Sequence, residues 1–145
     1  MECGAGDGFV SSSTLYLEEA LGWTGVLVEP DPDNLVKLLA HKRNSWVAAT
    51  CLSTVPKPQQ SSFRRHQGSE NRIWQMPLGR DDSDTLDILC VPINNLLEAL
   101  QLRHIDYVRL DVVGFELDLL RTFPFANVSV TVNYFCSKFQ ILQQQ

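Results

Sequence analysis

The residues best suited to chemistry stand at the start of the chain: Glu2-Cys3-Gly4-Ala5-Gly6-Asp7-Gly8, an acidic residue followed by three alternating glycines. Glycine lets the backbone turn tightly and approach a ligand with no Cβ in the way. The sequence predicts a helix immediately behind this run, with free N–H groups and a partial positive charge at its N-terminus. A dinucleotide fingerprint, G-x-G-x-x-G, would place its last glycine at position 9. Phe9 stands there instead, and the glycine comes one residue earlier. The shorter spacing suits a ligand without a pyrophosphate, such as S-adenosylmethionine (SAM), held by Glu2, Gly4, Gly6 and Gly8. A purely structural glycine-rich turn is the alternative.

Three further acidic residues complete the candidate site. Glu29 ends an apolar run a few tens of residues after the glycines, where a carboxylate can accept hydrogen bonds from both hydroxyls of a ribose. Its alternative role, capping the next helix, is already filled by Asp31. Asp111 lies at the C-terminal end of a second apolar run, the position at which open α/β sheets place their ligand crevice. There it could orient a nucleophile or accept its proton; equally, it could cap the helix that starts near Gly114. Glu116 falls in the first turn of that helix, where the helix dipole alone favours an acid.

The elements that must carry these residues alternate between strand and helix. Phe9 to Leu21 is predicted helical, with N-caps available at serines 11 to 13 and Gly22 as its stop. Gly25 to Val28 is continuously apolar, as a parallel strand covered on both faces should be. Asp31-Pro32 opens a second helix, Asp31 as N-cap and Pro32 at the first helical position. Trp46 to Cys51 is a third strand. Residues 56 to 85 turn to Pro, Gln, Ser, Arg and Asp, an irregular insertion with room for a short hairpin near Phe63 or Ile73-Trp74. Strand Leu86–Val91 follows, then a helix capped by Asn95 with Glu98 reaching back. Strand Ile105–Val112, helix Gly114–Arg121 and strand Val128–Val132 complete the pattern. This order predicts an α/β fold with a mostly parallel sheet flanked by helices.

Composition sets limits on partners. In 145 residues, 17 acidic against 12 basic side chains give a formal charge of −5, which argues against a nucleic-acid partner. The basic cluster Arg64-Arg65-His66 reads as a solvated loop. No apolar run reaches the roughly 20 residues of a membrane span. Cys3, Cys51, Cys90 and Cys136, like His41, His66 and His104, are isolated in sequence, so no metal site is expected. On composition alone all four cysteines read as unpaired thiols.

With these segments in view, the chain resembles the FkbM family of SAM-dependent methyltransferases, and especially its Star-like branch. The matching stretches are ECGAGDG, TLYLEEALGWTGVLVEPDP, CLS at 51 to 53, and CVPINNLLEALQ with IDYVRLDVVGFELDLLRTFPF. The resemblance implies a Rossmann-like methyltransferase domain over residues 1–136, a tail at 137–145, a SAM site at the glycine run and Glu29, and O-methylation of a small-molecule or sugar hydroxyl. It also exposes departures. The family pattern Asp-x-Glu-Gly-x-Glu keeps Asp111, Gly114 and Glu116 here but has Val113 for its first glutamate, so catalysis is expected to be weak or absent. Asn133-Tyr134-Phe135 replaces the acidic tail of the following strand. A first strand ahead of the glycines and the last strands of the fold are expected to be missing. The Star-like branch implies a second function: non-catalytic cargo export in the secretory pathway, with a cargo protein as partner and vesicle-mediated transport as setting. The chain by itself suggests a cytoplasmic protein; that branch implies endomembranes, where Cys51 and Cys90 could pair.

Overall fold

The computed structural model describes residues 1–65, 73–76, 85–112 and 114–135. His66, Val113, Cys136 and the tail 137–145 lie outside the described residues. Along the chain run β1 (Glu2–Cys3), α1 (Leu15–Leu21), β2 (Val26–Val28), α2 (Pro32–Ala40), β3 (Trp46–Ala48), β4 (Cys51–Leu52), β5 (Gln59–Arg65), β6 (Ile73–Met76), β7 (Thr85–Val91), α3 (Ile93–Ala99), β8 (His104–Leu110), α4 (Glu116–Thr122) and β9 (Ser129–Phe135).

Five strands form a parallel sheet in the order β3-β2-β1-β8-β9. The expected α/β, Rossmann-like architecture is therefore present. The first strand is not missing, which corrects that expectation. Glu2–Cys3 occupies the central slot and pairs with β2 and β8, Cys3 lying between Val28 and Leu110. The backbone extends this pairing on both sides: Arg109 N donates to Met1 O, Asp111 N to Cys3 O and Gly4 N to Val28 O. Two residues suffice because each is bonded to two neighbours.

β2 shows why a short apolar run reads as a buried strand. Val26 and Val28 point to one face and join Cys3, Ile93, Leu97, Val108, Leu110 and Leu119 in the main core. Leu27 points to the other and meets Ala5 and Leu38. All three are buried, so the strand has helices on both faces. Asp31 caps α2 as expected, accepting from Asp33 N at 2.9 Å, with Pro32 at the first helical position. Gly22 ends α1 in the left-handed conformation.

Three boundaries differ from expectation. The first helix begins at Leu15, not Phe9, and its N-cap Thr14 makes no side-chain cap bond. Asp7 Oδ1 captures the N–H groups of Phe9 and Val10, and Ser11 is left-handed at φ 62°, so the chain stays non-helical to Thr14. Helix α3 begins two residues before Asn95, with Pro92 as N-cap, and Glu98 bonds the Asn94 amide rather than closing a capping box. The third strand splits at Ala48: β3 stays in the parallel sheet, while β4 starts a second one.

That second sheet has the order β4-β7-β5-β6. Its β5–β6 and β5–β7 pairs are antiparallel, and β4–β7 is parallel. A disulfide joins Cys51 to Cys90, whose Cα atoms are directly paired at 4.4 Å. Two of the four cysteines are thus bonded, against the reading of four thiols. The bond packs with Phe63 and Ile88 in a core of its own. For a separation of 39 residues, loop-closure entropy assigns such a bond about 4 kcal/mol. Both cysteines lie in the second sheet, so the cross-link ties β4 to β7.

Candidate functional site

The sheet brings the C-terminal ends of β1, β2 and β8 side by side, and the residues singled out in the sequence follow those ends. Gly4, Gly6 and Gly8 all adopt positive φ, at 77°, 58° and 70°. A Cβ on Gly4 would lie 2.1 Å from the carbonyl oxygen of Asp111, so only glycine lets β1 and β8 meet there. At Gly6 a Cβ would meet nothing within 4 Å: the backbone at this point borders open space.

Glu29 closes on that same point. Its Oε2 accepts from Gly6 N at 2.7 Å and its Oε1 from Asp31 N at 2.9 Å, with the Asn34 amide at 3.5 Å. The side chain is only 4% exposed. Burial pushes its carboxyl up to about 7, although the two backbone N–H groups and Asn34 pull the other way. A carboxylate offers about four lone-pair positions, so these bonds leave acceptor capacity for a ligand hydroxyl.

The sign of that shift makes a prediction. The folded pKa lies above the unfolded value, so the folded state binds more protons between about pH 4.5 and 7. Glu29 therefore costs nothing below about pH 4.5, and its cost grows to on the order of 3 kcal/mol above pH 7, at about 1.4 kcal/mol per unit. Unfolding free energy should fall across this window in the native chain and fall much less in Glu29→Gln. Parallel pH profiles of the two proteins in urea titrations would refute the assignment.

Glu2 and Asp111 are brought together through a residue the sequence reading passed over. Arg109 donates from Nη1 to Glu2 Oε1 at 2.6 Å and from Nη2 to Asp111 Oδ2 at 2.7 Å. It also reaches the carbonyl of Ser11 at 3.0 Å. Fully buried Glu2 further accepts from the hydroxyls of Ser12 and Thr14 at 2.8 and 2.5 Å. Glu2 thus holds the exit of the glycine loop. The sequence signal for Arg109 was a charge inside an apolar strand, which must find a partner when buried. Glu116 stands apart: its two oxygens accept from Val112 N and Gly114 N and close their own turn.

Arg43, between α2 and β3, was likewise unmarked. Its guanidinium donates to the Gly8 carbonyl, to Ser12 Oγ at 3.2 Å and to Thr14 Oγ1 at 3.1 Å, and pairs with Glu18 at 3.0 Å. Burial alone would raise the Glu18 carboxyl, but hydrogen bonds from Arg43, Ser45 and Asn44 outweigh it and hold Glu18 below its ordinary value. Cys3 is no nucleophile, because burial pushes its thiol up to about 12. Among the described residues, no cluster of His, Cys, Asp and Glu could hold a metal ion. Nor is any helix among them long and apolar enough to cross a membrane.

The family model described as the methyltransferase FkbM domain matches residues 2–142, nearly the whole chain. The chain therefore belongs to the FkbM methyltransferase family. Comparison with curated proteins and with solved structures gives no match.

Proposed function

We propose, from its place in the FkbM methyltransferase family, that this chain binds SAM at the end of the sheet formed by β1, β2 and β8. The observation that carries the reading is the junction of Gly6 and Glu29: open backbone in the left-handed region, bonded at 2.7 Å to a buried carboxylate at the end of β2. Gly4 and Gly8 shape the loop, and Glu29 accepts the ribose hydroxyls. When bound, SAM supplies an electrophilic methyl group, and the acceptor is a hydroxyl of a small molecule or sugar. Asp111 borders the loop and would orient that hydroxyl, although Arg109 already occupies one of its oxygens. Glu2 and Glu116 act one step further back, holding the loop and the β8–α4 turn.

A second reading is favoured by one observation, the Cys51–Cys90 disulfide. Such bonds persist in oxidising compartments, which suits the secretory-pathway setting of a Star-like, non-catalytic export factor recognising a cargo protein.

Calorimetry separates the two. Glu29→Ala should weaken SAM binding by about 1–3 kcal/mol, the scale of a lost charged hydrogen-bond partner. An analogue lacking the ribose hydroxyls should bind both proteins equally. Equal SAM affinity in native and mutant chains would remove the ribose assignment. A folded chain with no SAM affinity would leave the export reading standing alone.

A further inference from the structure

The loop from Gly4 to Thr14 presents an architectural problem. Three left-handed glycines and left-handed Ser11 give it little intrinsic preference for one shape. The helix behind it has no fully buried residue to anchor the loop. Something else must hold the loop against the sheet, and the side chains that converge on it are polar.

Arg43, in the α2–β3 connection, bonds both the loop and α1. It is 4% exposed and reaches four groups at once: the Gly8 carbonyl, the hydroxyls of Ser12 and Thr14, and the Glu18 carboxylate. A planar guanidinium with five donors suits this task, whereas a lysine ammonium cannot span the same acceptors. Glu18 is in turn held by Asn44 N at 2.5 Å and Ser45 Oγ at 2.6 Å, so the anchor is fixed from behind. The two hydroxyls that Arg43 bonds donate in turn to Glu2, and Glu2 accepts from Arg109, which bonds Asp111. A continuous hydrogen-bonded path thus runs from the α2–β3 connection, under the loop, to the end of β8.

We infer that Arg43 is a positioning residue that sets the shape of the loop at Gly4–Thr14 before any ligand arrives, acting through Gly8, Ser12 and Thr14. The inference rests on the SAM reading only for its consequence in binding. Glu29 fixes the loop at Gly6 from the side of β2, and Arg43 fixes it from Gly8 onward. With the second tie removed, the loop samples other shapes, and the ligand must select the competent one.

The test compares Arg43→Gln and Arg43→Lys with the native chain by amide hydrogen exchange and by titration with SAM. Arg43→Gln should speed exchange at Gly6 and Gly8 by about tenfold or more while amides of β2 and β8 stay protected, a local loosening that lower global stability would not reproduce. SAM affinity should fall by about 10–100-fold, the range for lost hydrogen bonds to a charged group. Arg43→Lys should lie between, keeping the charge and losing the fork. Should Arg43→Gln not fold, the lysine variant decides on the same amides. Unchanged exchange at Gly6 and Gly8 in the folded variants overturns the inference. If the native chain does not bind SAM, the cofactor reading falls by itself, and the exchange data still decide the role of Arg43.

Discussion

Gly4→Ala is expected to lower the stability of the fold by about 2–5 kcal/mol and to abolish cofactor binding with it. Two costs add at this position. A non-glycine residue in the left-handed region costs about 1–2 kcal/mol, and Gly4 sits at φ 77°. The new Cβ would also lie 2.1 Å from the Asp111 carbonyl oxygen. That atom belongs to backbone held by the bond from Asp111 N to Cys3 O, so no side-chain rotation can relieve the overlap. Forcing strands apart is overpacking of the kind that costs about 1–3 kcal/mol or more. Gly6→Ala is the internal control: its φ of 58° carries the conformational cost, but nothing lies within 4 Å of the added carbon. Gly8→Ala should fall between them, since its Cβ would meet Leu38 Cδ1, the end of a buried side chain rather than backbone. Urea unfolding of the three variants gives the ranking. A Gly4→Ala protein as stable as Gly6→Ala would mean that β1 and β8 do not meet at this point.

The glycine pattern was legible because its cause is local: alternate glycines before a helix have few explanations other than a tight loop with left-handed residues. The same holds for β2 and for the start of α2, where a short apolar run and Asp31-Pro32 carry their own signals. The start of α1 was not legible from apolar spacing, because polar capture by Asp7 nearby and by Glu2 on β1 overrides it. Apolar spacing allowed a helix from Phe9, but Glu2 takes the hydroxyls of Ser12 and Thr14, and the pull comes from a residue on a different element. The second sheet was hidden for a related reason. Gln59–Arg65 has no apolar alternation, and it becomes a strand through pairing with β6 and β7.

In the site, Gly6, Glu29 and the proximity of Asp111 to the loop followed from where strand ends must lie in a parallel sheet. The two arginines did not follow. Arg43 sits in His41-Lys42-Arg43-Asn44, which by composition is a solvated connection, and only the fold shows its guanidinium turned inward. Arg109 had a visible signal, a cation inside a buried strand, and that signal was sufficient to ask for its partners. The roles of Glu2 and Asp111 depend on the answer, because both carboxylates bond the same guanidinium.

This sharing bears on turnover. The chain as it stands is expected to transfer methyl groups slowly or not at all, and Val113→Glu to raise the rate by about 10²–10⁴-fold, the usual contribution of one general acid or base. The FkbM pattern places an acid at this position, and the chain has valine. The two acids that remain near it are both engaged: Asp111 bonds Arg109, and Glu116 bonds the N–H groups of Val112 and Gly114. Arg109 holds one oxygen of Asp111, and Glu116 spends one bond from each of its oxygens on closing its own turn. A glutamate at 113 would restore the acid of the family pattern that the resemblance points to. The measurement is transfer of a labelled methyl group from SAM to a panel of hydroxylated small molecules and sugars, with Val113→Gln as the control that adds bulk and polarity but no acid. SAM affinity should change little among the three proteins, because the residue follows β8 and the loop proposed to bind SAM is held by Glu29 and Arg43. Equal turnover by the native chain and Val113→Glu would show that Asp111 is a sufficient base despite Arg109. It would also remove the chemical argument for a non-catalytic export factor, leaving the disulfide as its only support.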